Sequence, residues 1–288
     1  MKLGYMTKYS PDAVAFAAAN GFECLELYVG SDGFGIDIDA IGKKDLDEIL
    51  SVCGQNGISI ATLYSKVNHL DPDPDRRSEN NRYFEKLLRT ARRFGTDIVA
   101  TCARGDADRS PADNLPMYRE VFSRYAHIAE DEGVRIALEN CPHMKGYPRR
   151  VCNIGYTPEM WEAMFDAVPS QAIGLEFDPS HLYWQRIDIV GALRKFSSRI
   201  YAFHAKDAEI TSSQAECGIF GKQLPGLRDW RYRLPGWGGI DWREVFKALY
   251  DAEYDGPILI ENEDPLFMGE RRSMGLLKAR DYLKPFMV

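Results

Sequence analysis

The sequence lacks any apolar run approaching the roughly 20 residues that a helix needs to span a bilayer, so no membrane-crossing helix is expected. Its six cysteines, Cys24, Cys53, Cys102, Cys141, Cys152 and Cys217, include no Cys-x-x-Cys pair. Scattered thiols of this kind fit a reduced cytoplasmic protein better than a disulfide framework or a zinc knuckle. Positive charge is in deficit, with 36 Lys and Arg against 43 Asp and Glu and a formal net charge of −7. A general nucleic-acid binder needs a basic surface for phosphate contacts, so that class is disfavoured. Short-period repeats and low-complexity tracts are missing, and no linker invites a domain cut. Met1-Lys-Leu-Gly-Tyr-Met leads straight into a Ser-Pro helix start rather than a long apolar segment, so no signal peptide is expected.

What is present is ordinary globular material: 45% of the 288 residues are hydrophobic and 27% charged. Strand-like apolar runs alternate with helical spacing throughout. Lys2 to Met6 precedes a helix opened by Ser10-Pro11-Asp12, and Phe22 to Tyr28 precedes the spaced apolar residues Leu46, Ile49, Leu50 and Cys53. Ile58 to Tyr64 precedes a helix from about Ser78 to Phe94, and Asp97 to Cys102 precedes one from Pro116 to Glu132. Four further strands end near Glu139, Asp178, His204 and Glu261, followed by helices at 157–168, 188–196, 241–253 and 271–283. Eight apolar strands alternating with helices imply a parallel sheet covered on its outside, and eight is the number that closes into an α/β barrel of about 250 residues. The expectation is one (β/α)8 domain over residues 1–288, with an insertion at about 208–236 after the seventh strand.

The last four strands end alike. Val134-Arg-Ile-Ala-Leu-Glu-Asn140 delivers Glu139, Ile173-Gly-Leu-Glu-Phe-Asp178 delivers Asp178 with His181 just beyond, Ile200-Tyr-Ala-Phe-His204 delivers His204, and Pro257-Ile-Leu-Ile-Glu261 delivers Glu261. In a barrel of this type functional groups sit at the carboxyl ends of the strands. One such carboxylate is more often a helix cap or ion-pair partner, but two Glu, one Asp and one His together make a cage for a hard or borderline divalent cation. Strand parity agrees, since Glu176 shares a face with Asp178, and Ala202 and Lys206 share one with His204.

These segments, Ala-Leu-Glu139-Asn, Phe-Asp178-Pro-Ser-His181, Phe-His204-Ala-Lys206-Asp207 and Ile-Glu261-Asn, resemble the xylose isomerase-like family of sugar isomerases and epimerases. Trp237-Gly-Gly-Ile-Asp-Trp242 and Tyr254-Asp-Gly-Pro-Ile-Leu-Ile-Glu261 add to the likeness. The resemblance implies one divalent metal held by Glu139, Asp178, His204 and Glu261, with Mn²⁺ first and Mg²⁺, Co²⁺ or Zn²⁺ as alternatives, and implies that His181 reaches a substrate oxygen. Ketose 3-epimerases of the family usually carry an Arg shortly after the metal-binding His. Here Lys206-Asp207 follows, a form similar to that of inosose dehydratases.

Further candidates follow from position. Lys206 points into the barrel mouth, where a buried ammonium needs a carboxylate or a substrate oxygen. Glu26 ends the second strand at the same level, as a partner of a ligand or of substrate. His69, beside Asn68, sits on the loop after the third strand and is a candidate substrate contact, although a lone loop histidine is usually solvent-exposed. Arg228, Arg231 and Arg233 in the insertion are candidates for the missing cation, with a solvated loop as the plainer reading. Trp230, Tyr232, Trp237 and Trp242 could wall a sugar site or pack against the rim. His127 and His143 carry no distinguishing signal. Arg82, Lys86, Arg89 and Arg93 form a basic helix stripe, read as a solvated face, with a contact between subunits of a homo-oligomer as the alternative.

The functional expectation is a metal-dependent isomerase or epimerase of a keto sugar or polyol. Two adjacent substrate oxygens would bind the metal, Glu139 and Glu261 would take and return a proton, and the resulting enediolate would be stabilised. A lyase that uses the same enediolate to expel a β-oxygen is the rival, with Lys206 or His181 protonating the leaving group. An apurinic endonuclease shares the barrel but needs many more histidines than the five here and a less acidic surface. A sugar-binding scaffold without catalysis leaves four convergent ligands unexplained.

Overall fold

The computed structural model of the chain describes residues 1–145, 150–211 and 228–287. Strand β1 (Lys2–Thr7) and helix α1 (Pro11–Ala19) are followed by β2 (Cys24–Val29), α2 (Lys43–Gln55), β3 (Ser59–Ser65), α3 (Pro74–Thr90), β4 (Ile98–Thr101) and α4 (Pro111–Glu132). The second half begins with β5 (Arg135–Glu139), the short β6 (Met144–Lys145) and β7 (Arg150–Val151), and α5 (Pro158–Ala167). It continues with β8 (Ile173–Phe177), α6 (Pro179–Trp184), α7 (Ile189–Phe196), β9 (Ile200–Ala205), β10 (Asp207–Ile210) and β11 (Trp230–Arg233). Helix α8 (Trp242–Asp251), β12 (Pro257–Ile260) and α9 (Arg272–Leu283) complete the described elements. Eight strands close as a parallel barrel in the order β1, β2, β3, β4, β5, β8, β9, β12, which is the (β/α)8 fold expected from the alternation.

Two helices start earlier than their apolar spacing suggests. Asp73 caps α3 through the amides of Asp75 and Arg76, so the helix opens at Pro74. Ser110 caps α4 through the Asp113 amide, and Pro116, expected to open the helix, lies inside it. It stands in the second turn, where its missing amide leaves the Ala112 carbonyl without its intrahelical partner. Asp178 is likewise a helix cap, its Oδ1 accepting from the Ser180 amide at 2.8 Å. What reads as a loop after Pro179 is therefore the helix α6, and His181 rides on it.

The barrel strands are buried on both faces, and period-2 alternation divides their side chains between two cores. Leu25, Leu27, Leu63, Val99, Ile136, Leu138, Leu175, Phe203, Ile258 and Ile260 face the helices in the larger core. Met6, Cys24, Ile98, Ala100, Ala137, Tyr201, Ala202 and Leu259 form the second core, on the other strand face. A Cβ on Gly174 would lie 2.2 Å from the Arg199 carbonyl oxygen and 2.4 Å from the Tyr201 ring, so only glycine fits there. Above this floor the inner face changes character, because Glu26, Thr62, Glu139, Glu176 and His204 are all buried.

The segment after β9 is fixed at its base by Asp207. Its carboxylate accepts from the amides of Ala208 at 2.8 Å, Gly236 at 3.1 Å and Ile240 at 3.2 Å, and from Trp242 Nε1 at 2.9 Å. A Cβ on Gly238 would sit 2.2 Å from Asp207 Oδ1, which gives the Trp237-Gly-Gly motif a packing reason. The antiparallel pair β10 and β11 rises from this anchor. Residues 212–227, the middle of the expected insertion, lie outside the described residues. On α3, Arg82 and Lys86 both bind Asp39, at 2.8 and 2.7 Å, so part of the basic stripe is neutralised within the chain. Cys24, Cys53, Cys102, Cys141 and Cys152 are free thiols, and Cys217 lies outside the described residues.

Candidate metal centre

Glu139 at the end of β5, Asp178 after β8, His204 in β9 and Glu261 after β12 each offer one donor atom, and the four atoms lie within 4.8 Å of one another. Adjacent strands deliver them, with Asp178 and His204 between the two glutamates around the barrel. Asn140 locks the first two ends together: its Nδ2 donates to the Asp178 carbonyl at 2.9 Å, and its Oδ1 accepts from the Asp178 amide at 2.7 Å.

His204 is held from behind. Its Nε2 donates to Glu26 Oε2 at 2.8 Å, leaving Nδ1 turned toward the other three residues. That Nδ1 is buried without a hydrogen-bond partner, and Glu261 Oε2 (3.3 Å), Glu139 Oε1 (3.7 Å) and Asp178 Oδ2 (3.9 Å) surround it. An orphaned imidazole nitrogen facing three carboxylate oxygens is what a divalent cation would resolve, so these residues fit one. Burial would lower the His204 pKa, but the charges of Glu176 and then Glu26 outweigh it and hold the group well above its ordinary value. The surroundings thus demand positive charge at Nδ1, which a proton or a metal ion supplies. Glu176, buried beside Glu26, is pushed above the ordinary carboxylate range, first by burial and then by Glu26.

Lys206 lies in the same cluster. Its ammonium is 2.5 Å from Glu261 Oε2, 3.0 Å from Asp178 Oδ2 and 3.2 Å from Glu263 Oε2. Burial opposes its charge, and Asp178, Glu261 and Glu263 overcome that penalty. Glu261 is held down to about 2, its burial outweighed chiefly by Lys206. Glu139 is held well below its ordinary range, its burial offset by His181 and His204. Both glutamates are therefore ionised at neutral pH and able to accept a proton.

His181 connects this cluster to the hairpin. Its Nε2 lies 3.2 Å from Lys206 Nζ, 3.3 Å from Asp178 Oδ2 and 3.5 Å from Glu139 Oε1, and its Nδ1 lies 3.2 Å from the Tyr232 oxygen. Among the described residues of the hairpin β10–β11, Tyr232 on β11 reaches the centre. The arginines expected to supply a cation there are held elsewhere: Arg231 and Arg233 both bind Glu209 at 2.8 Å, Arg233 also binds Asp264, and Arg228 lies against Trp230. Trp230 stacks on Trp184 of α6 at 4.0 Å, Trp242 is buried, and Trp237 packs edge-on against Phe267.

His69 is placed differently from the expectation. It is fully buried among Phe84, Phe122 and Tyr125, with Nδ1 3.1 Å from the Tyr125 hydroxyl and Nε2 2.8 Å from Thr101 Oγ1. Both ring nitrogens are occupied by protein, and the loop position conceals a packing role. Residues that carried no signal do reach the centre. Tyr64, at the end of β3, donates to Glu139 Oε2, Cys102 Sγ lies 3.3 Å from the same oxygen, and His143 Nε2 lies 3.1 Å from that sulfur. The position of Tyr64, in register with Thr62 two residues before it, was the one available clue.

Comparison with known proteins agrees with this architecture. The profile of the xylose isomerase-like TIM barrel family matches residues 14–285. The chain belongs to that family. It is 26% identical to the uncharacterised protein YfiH of Bacillus subtilis over 92% of this chain and 93% of that protein. It is 26% identical to the inosose dehydratase of Clostridium perfringens over 57% of this chain and 52% of the dehydratase, so that match spans about half of each. The D-psicose 3-epimerase of Clostridium cellulolyticum H10, solved with D-tagatose, superposes with a TM-score of 0.74 at 18% identity, covering 100% of this chain and 99% of the epimerase. The IOLI protein, solved with a zinc atom, superposes with a TM-score of 0.74 at 17% identity over 100% and 99% of the two chains. At these identities the structural matches establish the fold alone.

Proposed function

We propose that the chain is a divalent-metal-dependent isomerase or epimerase of a keto sugar or related polyol. The observation that carries the reading is the convergence of Glu139, Asp178, His204 and Glu261 on one point, with His204 Nδ1 left without a protein partner. These four residues would hold the ion, Mn²⁺ first, which supplies charge stabilisation to the substrate oxygens as a carbon-bound proton leaves. Glu139 and Glu261 flank the other two ligands, so one takes the proton and the other returns it. Glu26 fixes the ring and tautomer of His204. Lys206 and His181, hydrogen-bonded to each other and to Glu261 and Tyr232, orient substrate hydroxyls and supply a proton to a developing alkoxide. His69, Arg228 and Arg231 have no part in this scheme.

A second reading has its own support. The pair Lys206 and His181 places an acid beside Glu261, which suits expulsion of a β-hydroxyl, and the partial match to inosose dehydratases points the same way. Incubation of metal-loaded enzyme with keto sugars, inososes and 3-keto-glycosides in D₂O, followed by NMR, separates the two. Deuterium at carbon with every oxygen retained is expected for the isomerase or epimerase. A dehydrated product establishes the lyase, and no exchange with any substrate while metal is bound overturns both.

A further inference from the structure

Glu139 turns its two oxygens to different neighbours. Oε1 faces His181 Nε2 at 3.5 Å and His204 Nδ1 at 3.7 Å, on the side of the centre described above. Oε2 faces away from them, toward Tyr64 and Cys102, and Cys102 in turn contacts His143. Cys102, Glu139 and His143 each present a donor atom within 4.8 Å of the others. Their chemistry differs from that of the first cluster: each holds Glu139 and one imidazole, but here a thiol stands in place of two further carboxylates.

The loop that carries His143 is built rather than loose. His143 has a φ of 47°, in the left-handed region that a residue with a side chain adopts only at an energetic cost. The Cys152 amide donates to the Pro142 and His143 carbonyls at 3.2 Å, and Asn153 Nδ2 donates to the Glu139 and Cys141 carbonyls at 2.8 Å. The strained conformation is thus enforced, and it delivers Nε2 to Cys102. Cys102 is fully buried and His143 partly exposed, so an ion would enter past the imidazole.

We propose that Cys102, His143 and Glu139 Oε2 form a second cation site, selective for zinc-like ions, that shares Glu139 with the first. Thiolate and imidazole donors favour Zn²⁺, Co²⁺ or Cd²⁺ over Mn²⁺ and Mg²⁺, which prefer oxygen. Binding releases the Cys102 proton to solvent, and a water completes the coordination of three protein donors. An ion there engages the second oxygen of Glu139. Where Glu139 is the base of the proposed reaction, and this consequence alone rests on that reading, zinc at the second site inhibits while Mn²⁺ does not.

Cobalt titration of the metal-free, full-length protein tests the site without a substrate. Two equivalents are expected, one of them with a near-ultraviolet thiolate-to-cobalt charge-transfer band that zinc abolishes. Cys102→Ala and His143→Gln each lose that band and one equivalent and retain the other; the second variant alters a partly exposed side chain and guards against misfolding in the first. Asp178→Ala is expected to keep the band while losing the spectroscopically weaker equivalent, so failure of the first site is read separately from failure of the second. A single equivalent in the unmodified protein, or a band that survives Cys102→Ala, overturns the proposal.

Discussion

His204 Nε2 lies 2.8 Å from Glu26 Oε2, across the barrel interior and 178 residues away in sequence. A carboxylate in this position orients the imidazole and raises its basicity toward whatever Nδ1 binds. Glu26→Gln should therefore weaken metal affinity by about 10- to 100-fold while leaving the barrel folded. Isothermal titration with Mn²⁺ checks it, and an unchanged affinity would show that Glu26 serves only to neutralise charge.

Asp178 and His204 on one side, and Glu139 and Glu261 on the other, should separate in their effects. Asp178→Ala or His204→Ala removes metal and activity together, because each takes away a donor and the fold does not depend on the ion. Glu139→Gln and Glu261→Gln keep an oxygen donor but lose the base, so kcat falls by about 10² or more with smaller loss of metal. Stoichiometric metal in Asp178→Ala, or full turnover in both glutamine variants, contradicts the assignment.

Tyr232, among the described residues of the hairpin, touches the centre through His181. Tyr232→Phe should raise KM or lower kcat by roughly the worth of one hydrogen bond, about five- to tenfold, without loss of metal. Arg231→Ala should change neither, since Arg231 binds Glu209 on the exposed hairpin. A larger effect from Arg231 than from Tyr232 would restore the arginine as the substrate contact.

His69 gives a pH signature of a structural residue. Burial, with a smaller contribution from the charge of Arg104, lowers its pKa from 6.5 to about 3. Between those values the unfolded chain binds a proton that the folded chain does not, so this residue's contribution is fully present above 6.5 and declines as pH falls toward 3. In thermal melts, His69→Gln should lower Tm at neutral pH, through the lost contacts with Tyr125 and Thr101, and flatten the decline below 6.5. A raised KM with an unaltered Tm would instead place His69 in substrate binding.

Alternating apolar strands and helices, read residue by residue, already determine a closed barrel, because eight strands buried on both faces leave few other arrangements. The same period-2 logic, with each residue standing at a strand's carboxyl end, is enough to bring Glu139, Asp178, His204 and Glu261 to one place. Sequence period names a face but not a depth or a neighbour. Only the packed structure decides that His69 lies closed among aromatic rings, that the hairpin sends Tyr232 and not an arginine inward, and that Cys102 and His143 meet the outer oxygen of Glu139. Those outcomes depend on side-chain rotamers and on contacts between segments far apart in the chain, which local pattern does not encode. The helix caps are intermediate: Asp178 reads as a ligand and serves also as the cap of α6, because one carboxylate has two oxygens and the fold gives each a different task.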